Sequence, residues 1–101
     1  MTEQKRPRYV TRTINESLNL EIQVLLWRLL DLIVIKRKDK MSYLQVFTIE
    51  SDGNNVKIIN QQENPFNEEE IIAQGRLCIK DTTVWIIDET DKQTMLFPSD
   101  Y

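Results

Sequence analysis

The sequence predicts an α+β domain: one long amphipathic helix packed on a mainly antiparallel sheet of five or six strands. Three observations carry this. Apolar residues recur at three- and four-residue spacing from Ile22 to Ile33. Alternating runs rich in β-branched and aromatic residues follow that segment. The turns between those runs are short, which makes successive strands antiparallel neighbours.

Residues 1–7 form a polar, basic arm ending at Pro7, and residues 8–101 form the single domain. Arg8–Ile14 alternates, with Val10, Arg12 and Ile14 on one side and Tyr9, Thr11 and Thr13 on the other, and predicts a first strand. Asn15, Ser17 and Asn19 are candidate caps for the helix that follows. In that helix Ile22, Leu25, Leu26, Leu29, Leu30 and Ile33 make one broad stripe. Leu20, Val24, Trp27 and Leu32 widen it, so either sheet embraces the helix on more than one side or part of its width is an interface. The helix is expected to end near Ile33 or Val34, since the β-branched pair Val34-Ile35 prefers strand, with the basic run Lys36–Lys40 just beyond it.

Tyr43–Glu50 and Val56–Asn60 read as a hairpin around Asp52-Gly53, the first strand apolar on both faces and therefore central. Residues 61–70 read as a polar connection with Phe66 tucked inward. For Ile71–Ala73 the pattern leaves a short strand and a turn of helix both open. Arg76–Lys80, Thr83–Asp88 and Gln93–Phe97 complete the strands, Pro98 ending the last. One helix covers one face of such a sheet, so the other face must curl, pair with another subunit or stay wet.

The chain contains no histidine and one cysteine, Cys78. That removes Ser-His and Cys-His nucleophile pairs, imidazole acid–base chemistry and metal sites built on His or on several thiolates. Loops with closely spaced glycines, the cradle of a nucleotide phosphate, are also missing. No cofactor is expected, and the composition speaks against an enzyme. Glu68-Glu69-Glu70 lacks the spacing of a calcium loop and reads as a solvated acidic segment. Cys78 between Leu77 and Ile79 reads as a buried thiol, and its solitude fits a reducing, cytoplasmic setting. The first residues lack the apolar stretch of a signal peptide, and Ile22–Ile35, broken by Gln23, Arg28 and Asp31, is too short and too charged to span a bilayer.

Charge is uneven: residues 1–50 carry nine Lys or Arg against six Asp or Glu, residues 51–101 four against ten. The overall acidic balance is not that of a typical nucleic-acid binder. Two clusters, Lys5-Arg6-Arg8 and Lys36-Arg37-Lys38-Lys40, would contact phosphates only if folding brought them together. The leading expectation is therefore a cytoplasmic protein-binding or regulatory module, with a homodimer as one form of partner. Nucleic-acid binding through the basic clusters, and a small-molecule or carboxylate-based site, are the alternatives. Candidate interface residues are Trp27, Leu30, Arg12, Arg28, Lys36, Arg37, Lys38 and Lys40.

The order of motifs adds a family. Tyr9-Val-Thr-Arg-Thr-Ile-Asn15, Leu26-Trp-Arg-Leu-Leu-Asp31, Tyr43-Leu-Gln-Val-Phe47, Gln62-Glu63, Val84-Trp-Ile-Ile-Asp88 and Thr94-Met-Leu-Phe-Pro-Ser-Asp-Tyr101 together resemble a family of bacterial proteins, domain of unknown function 960. The resemblance implies a low-GC Gram-positive setting and a whole domain from about residue 9 onward. It brings no assigned activity and no catalytic residues.

Overall fold

In the computed structural model, which describes residues 6–75 and 80–101, chain order is β1 Arg8–Val10, α1 Arg12–Ser17, α2 Leu20–Arg37, β2 Leu44–Asp52, β3 Asn55–Gln62, β4 Asn67–Gln74, β5 Thr82–Asp88 and β6 Gln93–Leu96. The strands form one six-stranded sheet in the order β1-β6-β5-β2-β3-β4. All neighbours are antiparallel except β1 and β6, which run parallel at one edge. The α+β architecture expected from periodicity is present, with β2 central as its two apolar faces require.

The first strand is shorter than its alternation implies. It stops at Val10, and Thr11 Oγ1 accepts a hydrogen bond from Ile14 N to start α1. Val10 and Ile14, four residues apart, satisfy a helical period as well as an extended one, and complete burial of Ile14 in the core decides for helix. Asn19 caps α2, its Oδ1 accepting from Glu21 N at 2.7 Å. Gln23, buried at the junction, donates to Ile14 O and Leu18 O and so ties α1 to α2.

Helix α2 runs through Val34 and Ile35 to Arg37, further than their β-branched shape suggests. That preference is worth a fraction of a kcal/mol per residue, about 0.5. It yields to the burial of Ile33 and Arg37 on the same helix. Lys38 then reverses the chain at φ 54 and ψ −119. These are angles of a turn position that glycine dominates. The Lys38 side chain is exposed, so Lys38→Gly removes backbone strain and sacrifices no packing. It is expected to raise stability by about 1 kcal/mol, read as a higher urea midpoint at constant slope.

Residues facing α2 from the sheet include Phe47 and Ile49 of β2, Val56 and Ile58 of β3, Val84 and Ile86 of β5 and Met95 of β6, all buried with Ile22, Leu26, Leu29, Leu30 and Ile33. Gly53 supplies the left-handed residue of the β2–β3 turn at φ 62.

Two sequence expectations fail at the far edge. Asn67–Gln74 is a full strand, paired with β3 along its length, and the connection shrinks to Glu63–Phe66, with Asn64 at φ 58. Phe66 points outward and is 68% exposed. An edge strand needs no apolar face, and charged side chains protect it from stray pairing, so its polarity misled the reading. The expected strand Arg76–Lys80 and the thiol of Cys78 lie, but for Lys80, outside the described residues.

Both edges of the sheet reach α2 through side chains. From β1, Arg8 pairs with Asp31, hydrogen-bonds Gln93 and lies 4.8 Å above the Trp27 ring. From β4 at the opposite edge, Glu69 pairs with Lys36 at 2.8 Å. Of the four residues that widen the apolar arc, Trp27 is covered, by Arg8 from β1. Leu20, Val24, Leu32 and Ile35 remain exposed on the outer side.

The C-terminal turn is locked to α1. Asp100 Oδ2 accepts from Phe97 N at 3.0 Å and from Thr11 Oγ1 at 2.8 Å. The Thr11 hydroxyl thus donates to Asp100 while accepting from Ile14 N. The Phe97 amide, then the Thr11 hydroxyl, hold the Asp100 carboxyl below its ordinary value. A depressed folded-state pKa stabilises above the unfolded value, and that contribution disappears as pH falls through the folded one. Asp100→Asn is therefore expected to flatten the loss of stability below about pH 4. Thermal melts across pH 2–6 check this; an unchanged acid limb would contradict it.

Candidate functional site

Opposite residues on paired strands share a face, so the register assigns every strand side chain to the helix side or the open side. The open face carries Tyr9 of β1, Leu44, Val46, Thr48 and Glu50 of β2, Lys57, Ile59 and Gln61 of β3, Glu68, Glu70 and Ile72 of β4, and Thr83, Trp85 and Ile87 of β5. Tyr101 covers part of it, meeting Trp85 edge-on at a ring separation of 5.9 Å. Trp85 is half-buried here on the side away from the helix.

Where β2 starts and β3 ends, the face sinks into an open groove of about 400 Å³. Leu44, Val46 and Gln61 line it from the strands, Ser42 and Tyr43 from the approach to β2, and Glu63, Asn64 and Phe66 from the loop. Two rings, Tyr43 at 65% exposure and Phe66 at 68%, belong to this lining, and both are among the exposed large apolar residues. The site combines apolar strand residues and aromatics with a carboxylate and amides.

Behind the groove, on the helix side, a polar network fixes its frame. Arg37 Nη1 donates to Gln62 Oε1 at 2.9 Å and Gln45 Oε1 at 3.2 Å. Gln62 Oε1 also accepts from Gln45 Nε2 and Ser42 N, and Gln62 Nε2 donates to Lys40 O and Pro65 O. Asn60 Nδ2 reaches Gln45 Oε1, and Gln45 Nε2 reaches Ser42 O. One side chain, Gln62, thereby holds the helix exit, the start of β2 and the loop bearing Phe66. Arg37 is 5% exposed. Desolvation lowers its guanidinium pKa, partly offset by Glu69. Its Nε and Nη2 make no hydrogen bond, nor does Asn60 Oδ1.

The sequence-derived interface residues scatter. Leu30 is fully buried against the sheet and Arg37 is interior, so neither is a surface anchor: Leu30 lies at the centre of the buried arc and Arg37 one turn beyond Ile33. Trp27 is half-buried under Arg8. Arg12 is exposed and paired with Glu16, Lys36 is paired with Glu69, and Arg28, Lys38 and Lys40 are exposed. The basic clusters do not merge. Arg6 is held by Asp88 and Arg8 by Asp31 at the β1 edge, while Lys36 sits by β4. Glu68-Glu69-Glu70 divides between faces, Glu69 toward the helix and its neighbours away. Among the described residues no group of His, Cys, Asp and Glu is arranged to hold a metal ion, and no helix is long and apolar enough to cross a membrane. Pattern reading missed the groove because Phe66 and Tyr43, distant in sequence, meet only once Glu63–Phe66 folds beside the start of β2.

These features define a small α+β protein whose sheet packs one long helix on one face and carries a groove lined by two aromatics on the other. The chain belongs to the family described as "Staphylococcal protein of unknown function (DUF960)", whose model matches residues 7–100. It is similar to a crystal structure of a protein of unknown function from Enterococcus faecalis, with a TM-score of 0.81 and 22% identity over 95% of this chain and 91% of the other. At that identity the likeness speaks for the fold alone. Comparison with curated proteins gives no match.

Proposed function

We propose that the chain is a cytoplasmic protein-binding module without catalytic activity, and that the groove on the open sheet face is where it binds. One observation carries this: Tyr43 and Phe66, both about two-thirds exposed, line a concavity together with Leu44 and Val46. Exposed aromatics at a concave apolar site are the usual anchors of protein recognition. The Gln62 network pre-organises the loop that presents Phe66, which lowers the ordering cost of binding.

Selection of peptides from a random display library on the immobilised protein tests the reading. Counter-selection uses the Tyr43→Ser/Phe66→Ser double variant, whose exposed positions make loss of fold an unexpected outcome. Sequences retained by the parent and lost by the variant support the proposal. Equal retention by both, with native circular dichroism for each, contradicts it.

The exposed residues Leu20, Val24, Leu32 and Ile35 favour a second reading, a homodimer through the outer side of α2. Sedimentation velocity on the parent and on Leu32→Asp separates it from the first. A parent that sediments as a dimer and a variant that sediments as a monomer would support the dimer; a parent that stays monomeric at all concentrations would remove it.

A further inference from the structure

The groove lining holds one charged side chain, the carboxylate of Glu63. The open face carries Glu50, Glu68 and Glu70, and Glu63 stands in the groove lining itself, against Lys57 as the cation of the described strand residues on that side. Glu70 is paired with Lys57, and Glu68 accepts from Gln61 Nε2. Glu63 is exposed at the groove. Arg28 and Lys38 are exposed on or beyond the helix and Arg12 on α1, while Lys40 stands nearer, its carbonyl accepting from Gln62 Nε2. The groove's own lining is thus acidic through Glu63, with Glu68 beside it on Gln61. A field of this kind disfavours phosphates and acidic segments and steers positive ones.

Resting on the binding role of the groove, we infer that its occupant is a basic protein segment: an apolar or aromatic anchor flanked by Lys or Arg. The anchor sits on Leu44 and Val46 beside Tyr43 and Phe66, and the flanking cations lie over Glu63 and toward Glu68. Gln61 and Asn64 in the lining offer amides to the segment's backbone. Apolar contact supplies the holding energy, and charge selects among segments of equal apolar content.

The test uses the full chain, labelled with nitrogen-15, and three nonapeptides sharing an Ile-Phe-Ile centre with Ser on each side. Their ends carry two Lys, two Gln or two Glu each. The Lys peptide is expected to shift amides of Leu44, Val46, Asn64 and Phe66, with affinity that falls as salt rises. The Gln peptide should bind the same place about tenfold more weakly, and the Glu peptide more weakly still. Glu63→Lys should narrow the gap between the Lys and Glu peptides. Equal affinity for all three peptides at the groove would overturn the charge inference and leave the groove as a binding site. Shifts from the Lys peptide that avoid the groove, or no binding by it at all, would also overturn the inference. The display selection then judges the groove separately, since selected sequences that need Tyr43 and Phe66 but lack Lys and Arg sustain one and refute the other.

Discussion

Gln62→Leu is expected to lower the unfolding free energy by about 3–5 kcal/mol, because it strips partners from a buried charge and from three backbone groups at once. The substitution removes the acceptor shared by Arg37, Gln45 and Ser42 N and the donor serving Lys40 O and Pro65 O. Arg37 would keep only Gln45 Oε1 among these amides. The guanidinium already has Nε and Nη2 unbonded in the interior, so it has little left to lose. Arg37→Met makes the opposite case. Gln62 Oε1 would still accept from Gln45 and Ser42, and Gln45 Oε1 from Asn60. No partner is orphaned and a poorly compensated charge leaves the core, so stability is expected to stay level or rise by about 1 kcal/mol. Urea unfolding of both variants measures the contrast. A severe loss in Arg37→Met with little change in Gln62→Leu would mean that the network turns on the cation and not on the amide.

Leu30→Ala is expected to cost about 2–5 kcal/mol, and Leu32→Ala no more than about 0.5. The two residues differ by one half-turn of α2. Leu30 is 0% exposed against the sheet and Leu32 is 61% exposed on the outer side. Truncating Leu30 opens a cavity amid Leu26, Ile33 and Phe47, which rigid neighbours fill only in part. An Asp at Leu30 would bury an unpaired carboxylate and should yield no folded chain, whereas Asp at Leu32 should fold. Similar costs for both truncations would show that the helix is rotated relative to the sheet.

The elements legible in the sequence are those whose patterning is set by burial on one or both faces. Helix α2, the hairpin about Gly53 and strands β5 and β6 bury residues at the period of their own backbone. β4 was illegible because an edge strand with a charged outer row resembles a loop. The α1 turn was hidden because Thr11-Arg-Thr-Ile14 is β-prone locally, and only tertiary burial of Ile14 selects helix. Arg37 shows another limit. Three basic residues in a row, Lys36-Arg37-Lys38, look uniformly solvated, yet helix phase turns this one inward to meet Gln45 and Gln62 from β2 and β3. The groove is a product of three segments, and no single stretch of sequence announces it.

The most direct test of the central claim is amide chemical-shift mapping with the tightest peptide from the display selection. Binding at the groove predicts saturable shifts at Leu44, Val46, Gln61, Asn64 and Phe66, abolished in Tyr43→Ser/Phe66→Ser, with α2 unperturbed. Shifts confined to Leu20, Val24, Leu32 and Ile35 would contradict it and move the binding surface to the outer side of the helix.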